Sequence, residues 1–337
     1  MTNEVSIAVV GCGAIAESYY FPVLSADARL RDNVWLVEPS VDRRNKLAQK
    51  NGFPVAQCVA SIDGLPGNLK AAINATPSHL HVATTEPLLA RGVSVIVEKP
   101  LAEFAADAQT LIDTAKGRCV LTVNQFRRLG PSYALVKEYI ATGKLGEITS
   151  ISWAEGHRFD WPTQSGFNFR RPWPNGRPRG ALLDIGVHVL DMICWWLGQD
   201  LKVTKAVVDG YGGPEAFVQA SLASRSAKVD ISISFLEKLK NSYLVEGTAG
   251  SIRGKTADFD SIEYKPRGGL WRTVKAPGSP DRGLIAKRFV MNFLDALHGK
   301  APLLIEPQSV VASLAAIDAI YENASEEMPQ YYKEWIA

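Results

Sequence analysis

Cysteine is scarce and scattered. The four residues, Cys12, Cys58, Cys119 and Cys194, share no metal-ligand spacing in a chain of 337 residues. They read as reduced thiols of a cytosolic protein, and no metal is expected. An excess of either charge is missing too: 37 Lys and Arg stand against 35 Asp and Glu, and no Lys/Arg block exceeds two in a row. That balance argues against a nucleic-acid partner. No run is long and apolar enough to span a bilayer; the best candidate, Ala181–Leu197, contains Asp184, His188 and Asp191. Glu4 comes just before an apolar strand and leaves no room for a signal peptide. Repeats and low-complexity tracts are absent. These gaps lead to the expectation of a soluble, cytoplasmic protein without membrane contact.

Hydrophobic residues make up 46% of the chain and charged ones 21%, enough apolar content for substantial cores. The length suits two domains of roughly 100–200 residues. Short apolar runs at Ser6–Val10, Val34–Val37, Ala71–Asn74, Ser94–Val97 and Val120–Val123 lack polar alternation, as do strands covered on both faces. Segments of helical length lie between them: Asp42–Lys50, Ser78–Arg91 with Gly92 as a C-terminal cap, and Ala105–Lys116. Strand and helix in alternation predict a doubly wound parallel sheet, a Rossmann fold over residues 1–124. Beyond it, 125–337 reads as an α/β domain with an open, mainly antiparallel sheet. Its expected parts are a helix over Ser132–Thr142, strands at Ile148–Trp153, Ala216–Ala223, Lys228–Phe235 and Tyr243–Val245, a helix over Ala181–Leu197, and closing helices near Leu284–Leu297 and Pro307–Ala324.

The first strand closes on Gly11-Cys12-Gly13-Ala14-Ile15-Ala16. Gly11 permits a tight turn, Gly13 permits close approach of a pyrophosphate, and the small Ala16 lets the helix pack on the sheet. The amides of the helix start, around Ala14 and Ile15, then face phosphate. A lone G-x-G-x-x-A often marks no more than a tight turn; here an apolar strand precedes it and a βαβ unit follows. Glu38 ends the second strand about 20 residues later, where an acid bonds the adenosine ribose. A carboxylate there accepts from a ribose 2′-hydroxyl and repels a 2′-phosphate, so NAD is expected over NADP. Arg43 and Arg44 either rescue NADP or are simply solvated.

Gly11-x-Gly13-x-x-Ala16, Thr76-Pro77-x-x-x-His81, Glu98-Lys99-Pro100, Arg128-x-x-Pro131 and Gly180-Ala181-Leu182-x-Asp184-x-Gly186-x-His188-x-x-Asp191 stand in one order along the chain. In this order and register they resemble the Gfo/Idh/MocA oxidoreductases, over essentially the whole chain. Ala16 departs from the commoner third glycine, and Ser78 stands where Asn is frequent. The resemblance implies hydride transfer between a nicotinamide cofactor and a secondary alcohol or ketone of a sugar, inositol or nucleotide sugar. It implies cofactor contacts at Thr76, Pro77 and His81 as well as the glycine turn, with His81 mainly structural. It also implies a homodimer or homotetramer built on the open sheet.

Residue chemistry agrees. Asp184 and His188 are four apart on one face of an expected helix crowded with Leu, Ile and Val, where ionisable groups need a partner or a task. Histidine titrates near neutrality by nature and suits the proton acceptor when an alcohol loses hydride. Asp184 either orients that ring or binds a substrate hydroxyl. Lys99, at a strand end, hydrogen-bonds the reacting oxygen and stabilises developing alkoxide. Glu98 either positions Lys99 or contacts the nicotinamide ribose. Asn74, Thr76, Pro77, Glu98, Lys99 and Asn124 all fall at carboxyl ends of strands, where ligands of open α/β sheets gather. The loop 156–180 interleaves Arg with Trp and Phe. Trp161 and Arg170 are assigned to substrate with Arg128, although such residues equally suit a subunit interface. Two rivals keep the fold: a non-catalytic sensor of NAD(P), and an enzyme that cleaves a glycosidic bond through tightly held NAD.

Overall fold

The computed structural model describes residues 5–157, 179–209 and 213–327. The chain divides into two compact units. One takes the chain up to Phe126 together with Asp281–Val311; the other takes Arg127–Pro280 and the chain from Ala312 onward.

The first unit is built on six parallel strands: β1 Ile7–Val10, β2 Val34–Val37, β3 Cys58–Val59, β4 Ala71–Asn74, β5 Ser94–Glu98 and β6 Leu121–Asn124, in the order β3-β2-β1-β4-β5-β6. Every residue of β1, β4, β5 and β6 is buried, which is why these strands are mostly apolar, with the polar Asn74, Glu98 and Asn124 confined to their carboxyl ends. The order reverses between β1 and β4, and the carboxyl ends of those two strands open the crevice where such sheets bind ligands. Between β2 and β3, Ser40 caps the helix Val41–Asn51 by accepting from the Arg43 N–H, and Gly52 ends it in the left-handed conformation.

The sequence reading assigned everything beyond residue 124 to the second domain. The structure instead returns Asp281–Val311 to the first unit. Helix Arg282–Leu297 buries Ile285, Phe289, Val290 and Phe293 and packs on Ala16–Tyr20 and Phe21–Ser25, the helical segments that follow the glycine turn. The Ile305 carbonyl then accepts from the Thr122 hydroxyl on β6 at 2.7 Å.

The second unit carries β7 Ile148–Gly156, β8 Lys202–Val208, β9 Phe217–Ala223, β10 Lys228–Ser234, β11 Ser242–Gly247, β12 Gly250–Lys255, β13 Ser261–Pro266, β14 Arg272–Lys275 and β15 Ser325–Glu326. They form one sheet in the order β14-β13-β12-β11-β7-β10-β9-β8-β15, antiparallel except for the β7–β10 and β8–β15 pairs. Its inner face meets helices Pro131–Ala141 and Val187–Leu197 over an aromatic core. Trp153 on β7 and Tyr243 on β11 stack at 5.0 Å, with Tyr133 and Trp196 from the two helices against them. The outer face is polar: cross-strand register lines up Lys205, Ser221, Asp230, Ser152, Leu244, Arg253 and Glu263.

Candidate functional site

At the glycine turn, Gly11 has φ +85°, and a Cβ added there would lie 2.8 Å from Ala75 O and Thr76 N. A glycine is therefore required on two counts, backbone conformation and the passing chain after β4. A Cβ added at Gly13 meets nothing within 4 Å, so that side of the turn is open. The chain turns helical at Ala14, and among the described residues no side chain caps Ile15. The helix dipole favours an anion at these first amides. Glu38 is 15% exposed; one of its oxygens accepts from Ser40 N–H and the other lies 3.7 Å from Arg43. Arg43 is no bystander: it donates twice to the Cys12 carbonyl and once to Glu17, tying the turn to the helix after β2. Arg44 donates to the carbonyls of Glu38 and Pro39. Neither arginine is simply solvated. Burial pushes the Cys12 thiol up to about 12, so it stays protonated between the two glycines.

The next strand ends hold two networks. Asn74 accepts from Thr76 N–H and hydroxyl at one end of its amide and donates to Thr84, Thr85 and the His81 carbonyl at the other. That side chain is engaged throughout, organising the Thr76-Pro77 turn. The buried His81 ring lies between the Pro100 carbonyl at 2.7 Å and the Thr76 carbonyl at 2.9 Å. Burial pushes its pKa below the usual value, against the pull of both carbonyls. His81 thus straps the turn after β4 to the segment after β5.

Glu98 ends β5 fully buried. One oxygen accepts from the Tyr20 hydroxyl at 2.6 Å and from Asn124 at 2.7 Å; the other accepts from the Lys99 backbone N–H at 3.2 Å. Burial raises its pKa above the usual carboxylate range despite these donors. Glu98 therefore anchors the backbone from which the half-buried Lys99 springs; the Lys99-Pro100 peptide is cis. Asn124 Oδ1 and the neighbouring Gln125 Oε1 are buried and have no hydrogen-bond partner among the described residues. Two orphaned acceptors at the end of β6, an open glycine turn and an uncapped helix start together fit a dinucleotide with an amide-bearing ring. Tyr20 was missed by sequence reasoning: it lies 78 residues from Glu98, and nothing in its own neighbourhood marks it.

In the second unit, Asp184 sits in a π-helical turn, Leu182–Gly186, which runs straight into the α-helix Val187–Leu197. The sequence reading expected plain α-helix here. His188 is buried and Asp184 half-buried. Such one-turn π insertions occur often at functional sites. Arg128 grips Asp191 through two hydrogen bonds, 2.8 and 2.6 Å, with side chains 5% and 1% exposed. Burial raises the Asp191 pKa against the Arg128 charge. This ion pair gives Arg128 a task within the fold, joining the segment before Pro131 to the His188 helix. Arg127 makes a parallel pair with Glu155. Although burial opposes it, that guanidinium holds the Glu155 carboxyl down to about 2. Trp161 and Arg170 lie outside the described residues. Sequence reasoning also missed Glu215, a buried carboxyl that binds the start of the Asp184 segment from 35 residues away.

Comparison with known proteins adds to this geometry. Residues 5–125 match the model of an oxidoreductase family with an NAD-binding Rossmann fold, and residues 133–253 match the GFO/IDH/MocA C-terminal domain. A dTDP-3,4-didehydro-2,6-dideoxy-alpha-D-glucose 3-reductase of Streptomyces violaceoruber is 29% identical over 208 residues, 60% of this chain. That alignment spans 57% of the relative's length, a little over half. Among solved structures, a 3-ketoreductase of Actinomadura kijaniata in complex with NADP and TDP-benzene superposes with TM-score 0.79 at 21% identity, covering 97% of this chain and 100% of that one. A levoglucosan dehydrogenase in complex with NADH and levoglucosan gives TM-score 0.79 at 19% identity, covering 95% and 96%. At such identities these two likenesses speak for the fold.

Proposed function

We propose, since the chain belongs to the Gfo/Idh/MocA family of oxidoreductases, that it interconverts a secondary alcohol and a ketone on a sugar, inositol or nucleotide sugar. A bound nicotinamide ring supplies the hydride acceptor or donor. The observation that carries the reading lies in the first unit. An uncapped helix start stands at the switch point beside β1, and Lys99 stands at the end of β5, two strands along. A nucleotide-sugar reductase among the relatives, and neighbours solved with NADP or NADH, support it.

In this reading the amides around Ala14 and Ile15 hold the pyrophosphate, Glu38 takes the adenosine ribose, and Asn124 meets the nicotinamide amide. Glu38 at the end of β2 favours NAD over NADP. The Lys99 ammonium donates to the reacting oxygen and stabilises it as negative charge develops. His188 accepts the hydroxyl proton in oxidation and returns it in reduction, with Asp184 fixing the ring or binding a neighbouring hydroxyl. The protein acts in the cytoplasm as a homodimer or homotetramer joined through the polar outer face of its larger sheet.

The test is turnover of NAD(H) and NADP(H), followed by absorbance, against a panel of sugars, inositols and nucleotide sugars in both directions. His188→Asn is expected to lower the rate by roughly 10²–10⁴ while leaving cofactor affinity intact. Tight cofactor binding without turnover on any member of the panel would return the sensor reading.

A further inference from the structure

Three consecutive backbone amides at the start of the Asp184–His188 segment converge on one residue. The Gly180 N–H donates to Glu215 Oε2 at 2.8 Å, the Ala181 N–H to the Glu215 carbonyl at 2.8 Å, and the Leu182 N–H to Glu215 Oε1 at 2.8 Å. The approach is so close that a Cβ at Gly180 would overlap the Glu215 carbonyl oxygen. The Tyr321 hydroxyl completes the shell, donating to Oε1 at 2.8 Å. Tyr321 is itself fixed: the Arg179 guanidinium lies 4.7 Å over its ring and pairs with Asp318 at 2.7 Å. A helix start leaves four amide donors without partners. Here three are taken by a residue from another part of the chain, just ahead of β9, instead of by a local cap.

We propose that Glu215 is the positioning residue of the segment that carries Asp184 and His188, clamping its first turn so that both side chains are held in register. This rests on the reading of those two residues as catalytic groups. The clamp acts at the first turn, next to Asp184 and one π-turn before His188, so releasing it frees the part of the helix that the chemistry uses. The aromatic core and the Arg128–Asp191 pair hold the far end independently.

The clamp is also sensitive to pH. Burial pushes the Glu215 carboxyl up to about 7, and the Leu182 and Gly180 amides and the Tyr321 hydroxyl offset only part of that effect. Among the described residues, the charged and titratable groups around it are Tyr321 and Asp318 on the last helix, Arg179 ahead of the clamped turn, Asp184 within it, and Asp209, which accepts from the Ala216 and Phe217 amides. Any opening that lets water reach the carboxyl returns it to the ordinary carboxylate range. By linkage the closed clamp is firmest while Glu215 is protonated and loosens as pH rises through about 7.

Amide hydrogen exchange on the full-length protein, corrected for intrinsic rates from pH 6 to 8.5, tests this without any substrate. In the native protein, protection at Gly180 to His188 is expected to fall as pH crosses the neutral range, while Met192 to Trp196 stay constant. Glu215→Ala should lower protection at Gly180 to His188 by about fivefold or more at every pH. Glu215→Gln, an uncharged mimic of the protonated carboxyl, should restore most of it and abolish the pH dependence. If Glu215→Ala does not fold, Tyr321→Phe decides: loss of a donor to the carboxylate should move the midpoint upward. Equal loss of protection over the whole helix and sheet would make Glu215 merely structural and overturn the proposal. So would an unchanged pH profile in Glu215→Gln, or an unmoved midpoint in Tyr321→Phe. Unimpaired turnover in His188→Asn, by contrast, would count against the catalytic reading and leave these exchange data to judge the clamp alone.

Discussion

Replacing Lys99 by alanine removes the cation at the end of β5 but leaves its base standing, because Glu98 is held by Tyr20 and Asn124 independently of the lysine side chain. Turnover in the panel assay is expected to fall by about 10²–10³, with NAD(H) affinity changed little. A variant that also lost the cofactor would reveal a larger role for Lys99 in building the turn. Glu38 gives a second prediction. Its carboxylate, flanked by Arg43 at 3.7 Å, favours a ribose hydroxyl, so fluorescence titration should show tighter binding of NADH than of NADPH. Glu38→Ala should narrow that gap, leaving Arg43 and Arg44 to attract a 2′-phosphate; native preference for NADPH would defeat the assignment. At this scale short motifs marked Gly11, Glu98, Lys99, Asp184 and His188 as candidates, and the structure accounts for two of them, Gly11 by its positive φ and Glu98 by its buried hydrogen bonds. It was silent on their supports, since Tyr20, Arg43 and Glu215 act across 78, 31 and 35 residues and have no local signature.

The helix start clamped by Glu215 makes a prediction about stability. Burial raises the folded-state pKa to about 7, above the ordinary value that the unfolded chain restores. The folded state therefore binds this proton more tightly. The contribution is fully present below about pH 4.5 and is lost as pH rises through the neutral range, a difference on the order of 3 kcal/mol. Denaturant unfolding of the native protein and of Glu215→Gln should give a difference that shrinks over that window. A constant difference would mean that the carboxyl is not buried in solution. Elements were legible in proportion to their burial. The strands β1, β2, β4, β5 and β6 showed as continuous apolar runs. β3 has two half-buried residues, β12 carries two glycines in six residues, and no residue of β14 is buried, so none offers a period to read. The two π-turns, Ala16–Tyr20 and Leu182–Gly186, were read as ordinary helix because a single wide turn barely disturbs the apolar pattern.

On the scale of the molecule, the outer face of the large sheet bears on assembly. Its central row runs from Lys205 through Asp230 and Ser152 to Arg253 and Glu263, so a partner copy would be held there by hydrogen bonds and ion pairs more than by apolar contact. Light scattering should find a dimer or tetramer, and Ser152→Arg, in the middle of that row, should shift it toward monomer with the circular dichroism unchanged. A native monomer would remove this face from consideration. The other whole-molecule feature is the return of Asp281–Val311 to the first unit, which the sequence hid because both closing helices follow directly on the second domain's strands. It sets an order of events during synthesis. When Phe126 leaves the ribosome the parallel sheet has all six strands, yet the apolar side of Phe21–Ser25 still waits for a helix that begins more than 150 residues further along the chain. The nascent nucleotide-binding half must persist unfinished while the other half is made, and a product truncated at residue 126 is expected to bind exposed-hydrophobe dyes and aggregate until a peptide spanning 281–311 is supplied. This half of the molecule is thereby expected to complete its folding only after residues 281–311 have been made.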